Sequence, residues 1–376
     1  MNFDSSTFAQ TFRVPDGRYS FEHLDYGHIN ITFRVKRNGK PVYILQQINT
    51  GVFNNPDLLM ANYRLVSETL PAYRWPETVS LKVPEIIPTR EGELYSIDNQ
   101  SRCWRLITYI DGTEIAMVPR NEKTAYEGGL AFGAFLIGVS GIDPRSLHTI
   151  LPDFHSFEKR YGDFITSVNS DPIGRAALVS EEIEFVKARQ TTMMKIPEML
   201  ASGAIPLRVV HNDTKLTNVI FSGEGKAVGV IDLDTVMPGS ALFDFGDAIR
   251  SCANPANEDE QELAKVKFEI GFFEAFSRGY FESTDGLLSN VEIDLLPESA
   301  LLLTCIIGIR FLADYLNGDV YYHTQYPDHN LVRARVQFRL LSQMESQLVQ
   351  MHDIINQIEK NLHRNNFNKF PQWQSR

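Results

Sequence analysis

The densest group of residues able to do chemistry lies between positions 207 and 250. An apolar run, Leu207-Arg208-Val209-Val210, ends in His211-Asn212-Asp213-Thr214-Lys215-Leu216-Thr217-Asn218. A second run, Val219-Ile220-Phe221, a turn over 222–226 and a third run over 228–231 lead into Asp232-Leu233-Asp234. The polar residues therefore fall at strand ends, where a rigid scaffold presents side chains to a ligand. Phosphoryl transfer needs parts of this kind: an acceptor oxygen held in line, a carboxylate to take its proton, and metal ions that hold and neutralise the phosphates. Asp213, Asn218 five residues later and Asp232 on the next hairpin supply them in order. Mg²⁺ keeps several waters and prefers oxygen ligands, so one amide and one carboxylate suffice. Lys215 places a cation beside the transferring phosphate. Each residue alone is a weak signal, because Asp and Asn also cap turns; the joint spacing carries the reading.

His211, Asp213, Lys215 and Asn218 match the H-x-D-x-K-x-x-N catalytic loop of protein kinases, and Asp232 matches the metal-binding Asp of the following hairpin. The segment resembles more closely the aminoglycoside phosphotransferase and choline kinase superfamily, through Ile231-Asp232, Pro238-Gly239 and Asp244-Phe245-Gly246-Asp247. Within it the chain looks most like the N-acetylhexosamine 1-kinases, through Asp232-Leu233-Asp234-Thr235-Val236-Met237-Pro238-Gly239, Leu151-Pro152-Asp153-Phe154-His155 and Arg310-Phe311-Leu312-Ala313-Asp314-Tyr315. The resemblance implies ATP and Mg²⁺ as cofactors, Asp213 as base, Asn218 and Asp232 as metal ligands, and His211 as a brace. It implies as acceptor the anomeric hydroxyl of N-acetylglucosamine or N-acetylgalactosamine. Asp234 is read equally well as a further metal ligand or as a turn residue, and Asp247 with Arg250 as a buried brace.

On the nucleotide side, Tyr26-Gly27-His28-Ile29-Asn30-Ile31-Thr32 resembles the phosphate-covering loop. With Gly27 its single glycine, backbone amides and the side chains of Asn30 and Thr32 would make the contacts; a plain loop turn is the rival reading. The next strand departs from the kinase pattern. It reads Tyr43-Ile44-Leu45-Gln46-Gln47-Ile48, with no lysine. Alternation lets one glutamine face the cleft, and Gln46 is favoured. Main-chain groups around Tyr109, at the end of a strand over 104–110, are the expected adenine contacts. On the acceptor side Arg310, Asp314, Tyr315 and Tyr321 are the candidate sugar residues. An Arg310–Asp314 pair one helical turn apart is the structural alternative. An aminoglycoside or choline kinase would share every catalytic residue. A non-catalytic nucleotide binder is suggested by the missing lysine and opposed by the intact Asp213, Asn218 and Asp232.

The elements that must position these groups divide the chain. Residues 1–110 read as a β-rich module. Strands over 31–36 and 42–48 flank Asn38-Gly39, a strong hairpin signal. A helix capped by Asn55 runs to about position 70 and stops at Pro71, and further strands follow over 81–87 and 94–97. Residues 111–376 read as mainly helical. A helix is expected from Asn257 with Leu263, Val266, Ile270 and Phe273 on one side, and one long amphipathic helix from Val336 to Leu362. The expected fold is α+β: a bilobal protein-kinase-like fold with a small β-rich N-terminal lobe over a large helical C-terminal lobe.

Composition agrees. At 376 residues, with 43% hydrophobic and 22% charged side chains, the chain suits a soluble protein of two unequal domains. Its three scattered cysteines argue against a disulfide framework. A net charge of −11 without a basic block disfavours nucleic acid. The N-terminus lacks a signal-peptide pattern, and the longest uncharged stretch, over 128–142, is too short to span a bilayer. A cytoplasmic enzyme with a small-molecule sugar partner is expected, its oligomeric state open.

Overall fold

Asn38 and Gly39 both hold positive φ, 50° and 85°, as a two-residue turn needs to match the twist of the strands it joins. The computed structural model describes residues 5–24, 29–73, 81–112, 114–115, 121–284 and 286–369, and it builds an antiparallel sheet around that hairpin. Helix α1 (Ser5–Thr11) precedes β1 (Tyr19–Leu24), β2 (Ile31–Arg37) and β3 (Lys40–Ile48). Helix α2 (Pro56–Ala72) and strands β4 (Ile86–Ile87), β5 (Ser96–Ile97) and β6 (Cys103–Thr108) follow. The sheet order is β1-β2-β3-β6-β4, with β5 also on β6. Its register aligns Thr32 with Gln46 and Gln46 with Arg105. Directly opposed residues share a face, so these three side chains form one row.

Asn55 caps α2 as expected, its side chain accepting the Leu58 N–H at 3.2 Å. Pro71 lies inside the last turn instead of ending it, where it removes a single helical bond. The expected strand over 81–87 shrinks to two residues because its first half pairs elsewhere. Lys82 exchanges backbone hydrogen bonds with Val228 and Val230, at 3.0 and 2.9 Å, tying the N-terminal part to the second half of the chain.

That second half contains β7 (Glu114–Ile115), α3 (Glu122–Val139), α4 (Phe157–Ser170), α5 (Ser180–Lys187), α6 (Gln190–Met193) and α7 (Lys195–Ala201). Short strands β8 (Arg208–Val210), β9 (Val219–Phe221), β10 (Ala227–Val230) and β11 (Met237–Gly239) come next. They are followed by α8 (Ala241–Cys252), α9 (Ile270–Thr284), α10 (Asn290–Leu316), α11 (His329–Ser346) and α12 (Leu348–Lys369). Two small sheets, β10-β9-β7 and β11-β8, carry the polar loops on a helical bed. Helix α3 lies in backbone contact with α9: a Cβ on Gly129 would stand 2.1 Å from the Phe276 carbonyl oxygen. Only glycine permits that approach, and it seats Phe132 and Phe135 beneath the polar loop.

The expected helix from Asn257 does not form. Residues 263–265 make a single 3₁₀ turn and the helix begins at Ile270. Tertiary bonds take over the backbone groups: the Gln343 side chain serves the Val266 carbonyl and the Phe268 N–H at 2.7 and 2.9 Å, and Ala253 accepts from Glu269. The C-terminal helix is two, broken at Gln347. The three-and-four spacing crosses the break because each half has its own apolar stripe, α11 on α10 and α12 on α9. Helix α10 is long and apolar enough to cross a membrane, but 83% of its most apolar window is buried inside the fold. Its capping box, Ser289 with Glu292, places a fully buried carboxylate that also receives Arg208 of β8 at 2.6 and 2.7 Å.

Candidate active site

The loop after β8 is held from three sides. Asp244, in the first turn of α8, accepts the backbone N–H groups of His211 and Asn212 at 2.8 and 2.7 Å. Burial first, then neighbouring carboxylates, push its proton affinity up to about 7 despite those bonds. Phe132 and Phe135 meet the His211 ring edge-on at 5.8 and 5.2 Å. His211 Nδ1 lies 3.3 Å from the Asp213 N–H and Nε2 lies 3.0 Å from the Ile231 carbonyl. The tautomer that satisfies both has Nδ1 accepting and Nε2 donating. Burial keeps the ring's proton affinity below the usual histidine value. His211 is therefore a neutral brace that ties Asp213 to the strand ending at Asp232, as the sequence predicts.

Asp213 lies 3.1 Å from Lys215 Nζ. It accepts Asn218 Nδ2 at 3.0 Å, and the same amide donates to the Asp213 carbonyl at 2.8 Å. Among the described residues no donor takes the Asn218 amide oxygen. Burial raises the proton affinity of Asp213, but the Lys215 ammonium overcomes it and holds the carboxylate ionised. Lys215 is in turn held charged by Asp213 first, with Asp247 and Asp232 also in range.

Asp232 has left-handed backbone, φ 64° and ψ 58°, a conformation costing a non-glycine residue about 1–3 kcal/mol and typical of functional turns. Asp232 is exposed, and among the described residues no donor hydrogen-bonds its carboxylate. Desolvation in the cleft, then Asp234 and Asp213, push it up to about 7. A carboxylate pressed by two others and lacking a donor is a ready ligand for a hard cation. Asn218 and Asp232 thus fit the proposed Mg²⁺ on the chemistry of their free oxygens. Among the described residues no three His, Cys, Asp or Glu side chains form a metal cage.

Asp234 behaves differently. It forms a buried bidentate pair with Arg105 of β6 and accepts Asn30 Nδ2 at 2.7 Å. Three donors from the N-terminal part occupy it, so it is a strut between the two halves and not the further metal ligand considered above. Gln46, the glutamine that turns to the cleft, accepts Arg105 Nε and Nη2 at 2.9 and 2.7 Å. It donates to Thr32 Oγ1 at 3.2 Å. Asn30, Thr32 and Gln46 are therefore brought together, but into a network around Arg105 and not as free phosphate donors. Gly27 lies outside the described residues. The Tyr109 N–H is taken by the Val42 carbonyl at 3.1 Å, which removes it from the expected adenine contacts. Arg105 was legible as a lone cation inside the apolar run Cys103–Thr108, which demands a buried partner.

Three of the four expected acceptor residues, Arg310, Asp314 and Tyr321, line one cavity, and Tyr315 does not. Asp314 caps the loop after α10, accepting the N–H groups of Val320, Tyr321 and Tyr322 at 3.1, 2.8 and 2.9 Å and Asn330 Nδ2 at 2.9 Å. The Arg310–Asp314 pair is not formed. Tyr315 is buried beneath the Arg175 guanidinium, 4.3 Å from its ring. Arg310 instead sits among Phe154, Tyr321 and Tyr322, 5.6, 6.0 and 5.6 Å from their rings. Among the described residues no carboxylate lies within ion-pair distance of it. A cavity of about 360 Å³ between α4 and α10 is lined by Arg310 and Arg160, by the carboxylates Asp163 and Asp314, and by Tyr321 and Tyr322, among others. That volume lies within the range of small-ligand clefts, about 300–1,000 Å³. His155 links this cavity to the catalytic loop: its Nε2 meets the Asn212 carbonyl at 2.9 Å, and its ring lies 4.5 Å from that of Phe154. Asp247 is the buried brace expected, receiving Arg250 Nη2 at 2.8 Å.

The geometry agrees with comparison to known proteins. The chain resembles the structure of a microcompartment-associated aminopropanol kinase, with a TM-score of 0.60 at 18% identity, over 93% of this chain and 99% of that one. It also resembles a choline kinase from Cryptosporidium parvum Iowa II, with a TM-score of 0.56 at 15% identity over 93% and 95%. An ADP-bound aminoglycoside phosphotransferase gives 0.51 at 14% identity over 86% and 94%. At these identities the likeness establishes the fold, an α+β protein-kinase-like architecture with the antiparallel sheet at the N-terminus. Residues 21–282 match the sequence pattern of the phosphotransferase enzyme family, and with most of its length covered the chain belongs to that family.

Proposed function

We propose that the protein is an ATP-dependent small-molecule kinase that phosphorylates the anomeric hydroxyl of an N-acetylhexosamine. Residues 1–110 cover the nucleotide in this reading, and Asp213 is the general base. The acceptor hydroxyl approaches Asp213, whose carboxylate is kept ionised by Lys215 and aimed by Asn218 and the His211 brace. An anomeric hydroxyl is unusually acidic for an alcohol, so one carboxylate suffices to receive its proton. Mg²⁺, held by Asn218 and Asp232, would supply orientation and charge neutralisation to the phosphates.

The observation that carries the acceptor reading is the mixed polar and aromatic lining of the cavity beside the catalytic loop, where Arg160, Arg310, Asp163, Asp314, Tyr321 and Tyr322 meet. Arg310 has no carboxylate partner there, and Arg160, which lines the same space, is depressed in its proton affinity by burial and then by Arg310. Guanidiniums, carboxylates and tyrosines together supply the donors and acceptors that a neutral, hydroxyl-rich and carbonyl-bearing acceptor needs, and Arg310, with no carboxylate at ion-pair distance among the described residues, disfavours a quaternary ammonium beside it. The test is a screen with ATP and Mg²⁺ against N-acetylhexosamines, amino alcohols and aminoglycosides. Turnover confined to N-acetylhexosamines, with the sugar 1-phosphate as product, supports the reading. Turnover of choline, aminopropanol or an aminoglycoside in preference refutes the acceptor, and nucleotide binding without turnover of any of them refutes the enzyme.

A further inference from the structure

We propose that Arg105 is a positioning residue for the metal side of the reaction: from β6, through Asp234, it sets the turn that carries Asp232, where the sequence has no lysine over 43–48 of β3. The inference rests on the nucleotide and magnesium reading above and not on the identity of the sugar.

The geometry is specific. Thr32, Gln46 and Arg105 form one row across β2, β3 and β6. Arg105 spends its N–H groups on two acceptors only: Nε and Nη2 on Gln46 Oε1, at 2.9 and 2.7 Å, and Nη1 and Nη2 on the two oxygens of Asp234, the latter at 2.9 Å. The Tyr63 ring, from α2, lies 5.0 Å from the guanidinium carbon. Arginine is 1% and aspartate 2% exposed, so the pair is shielded from water and its orientation is fixed by the fork. The strand row, α2 and the carboxylate therefore define one position for Asp234.

Asp234 lies two residues beyond Asp232, inside the single 3₁₀ turn Leu233–Thr235 that Asp232 opens with left-handed backbone. A grip on Asp234 is a grip on that turn, and it is made entirely from the N-terminal half. Asn30, at the entry to β2, grips the same carboxylate and is itself anchored by the Asn49 N–H at 3.0 Å. The loop over the phosphates, the sheet and the metal-bearing turn thus meet at one carboxylate. A strand lysine reaching the phosphates would leave the turn to find its own position; here the cation is used to set it.

The test uses the full-length protein and needs no acceptor. Arg105→Met combined with Asp234→Leu removes both partners, an exchange that buried ion pairs often tolerate without loss of fold. Calorimetric binding of ADP is measured with and without Mg²⁺, beside thermal unfolding. The expected result is a folded protein whose Mg²⁺-supported ADP binding weakens at least tenfold while metal-free ADP binding moves less than threefold. A folded double variant with wild-type Mg²⁺ dependence overturns the proposal and makes the pair merely structural. If the double variant does not fold, Arg105→Lys decides. It keeps the charge but cannot fork to Gln46 and Asp234 together, and it should weaken Mg²⁺-supported binding threefold or more; an unchanged value overturns the proposal. Wild-type protein that fails to bind ADP with Mg²⁺ refutes the nucleotide reading and the proposal with it, which separates the two failures.

Discussion

Among the described residues, Asp213, Asp234, Asp244 and Asp247 on the wall built by β8 to β11 each have a donor and Asp232 has none; in the cavity between α4 and α10, Arg310 has no acceptor among them. The two regions are joined by His155, which touches the Asn212 carbonyl on one side and Phe154 on the other. The wall thus holds a carboxylate without a donor, and the cavity a guanidinium without an acceptor, beside the carboxylates Asp163 and Asp314. Asp232 is exposed and Arg310 only partly buried, so each can stay charged and open to a ligand. The contrast is between a carboxylate open to a cation and a guanidinium open to a hydrogen-bond acceptor.

The strongest way to break this division is at Asp213. Asp213→Asn keeps the shape and the Asn218 contact but removes the base, so turnover should fall by ~10²–10⁴ while nucleotide affinity stays within about twofold. Steady-state kinetics beside calorimetry checks it, and unchanged turnover removes the base from this residue. In the cavity, Arg310→Ala should act on binding more than on chemistry. Losing charge-assisted hydrogen bonds of about 1.5–3 kcal/mol corresponds to a KM for the N-acetylhexosamine raised ~10- to 100-fold, with kcat falling less. A KM that does not move would detach the cavity from the acceptor.

The two regions were unequally legible in the sequence. The catalytic wall could be read because its chemistry is local: Asp213, Lys215 and Asn218 lie within six positions, and the strands that set them apart have their own apolar signature. The hairpin at Asn38-Gly39 and the Asn55 cap were legible for the same reason. Arg105 and Asp234, 129 positions apart, meet only because β6 pairs with β3 and the two halves close on each other. Spacing along the chain says nothing of such a pair. Arg310 and Asp314 show the converse error: one helical turn apart, they satisfy the rule for a local pair, yet Asp314 turns to three backbone N–H groups of the next loop. Backbone donors that burial would orphan outcompete a partly buried guanidinium. The missing helix at Asn257 failed likewise, to tertiary bonds from Gln343.

His155, the joint between the regions, sharpens the comparison through pH. It is buried, its Nδ1 has no hydrogen-bond partner, and desolvation lowers its proton affinity from the ordinary 6.5 to about 4. A histidine depressed on folding contributes stability that is fully present above the unfolded value and is lost as pH falls through the interval between 6.5 and 4. By pH 5 about 2 kcal/mol of it is already lost. His155→Gln should lower stability at neutral pH through lost ring packing and also flatten the acid slope. Urea unfolding measured from pH 7 to pH 4.5 reads both, and an unchanged slope would mean that another group drives the acid limb.

The finest test asks whether the positive side of the comparison is built to discriminate. Arg160 lines the cavity with Arg310, pairs only loosely with Asp163 at 4.0 Å, and leaves its buried Nε without a partner. Such a group adds little to stability but adds positive potential against Asp163 and Asp314 in the same cavity, and like-charge juxtaposition selects against the wrong ligand. Arg160→Met should therefore change the KM for the N-acetylated sugar by about twofold or less, while improving turnover of the same sugar bearing a free ammonium by about fivefold, equivalent to ~1 kcal/mol of relieved repulsion. The ratio of kcat/KM for the two sugars is the quantity to compare, in low salt where screening is weakest. A ratio that stays constant would mean that Arg310 alone sets the potential felt by the acceptor, and that Arg160 serves the α4 packing through its bond to the Phe154 carbonyl.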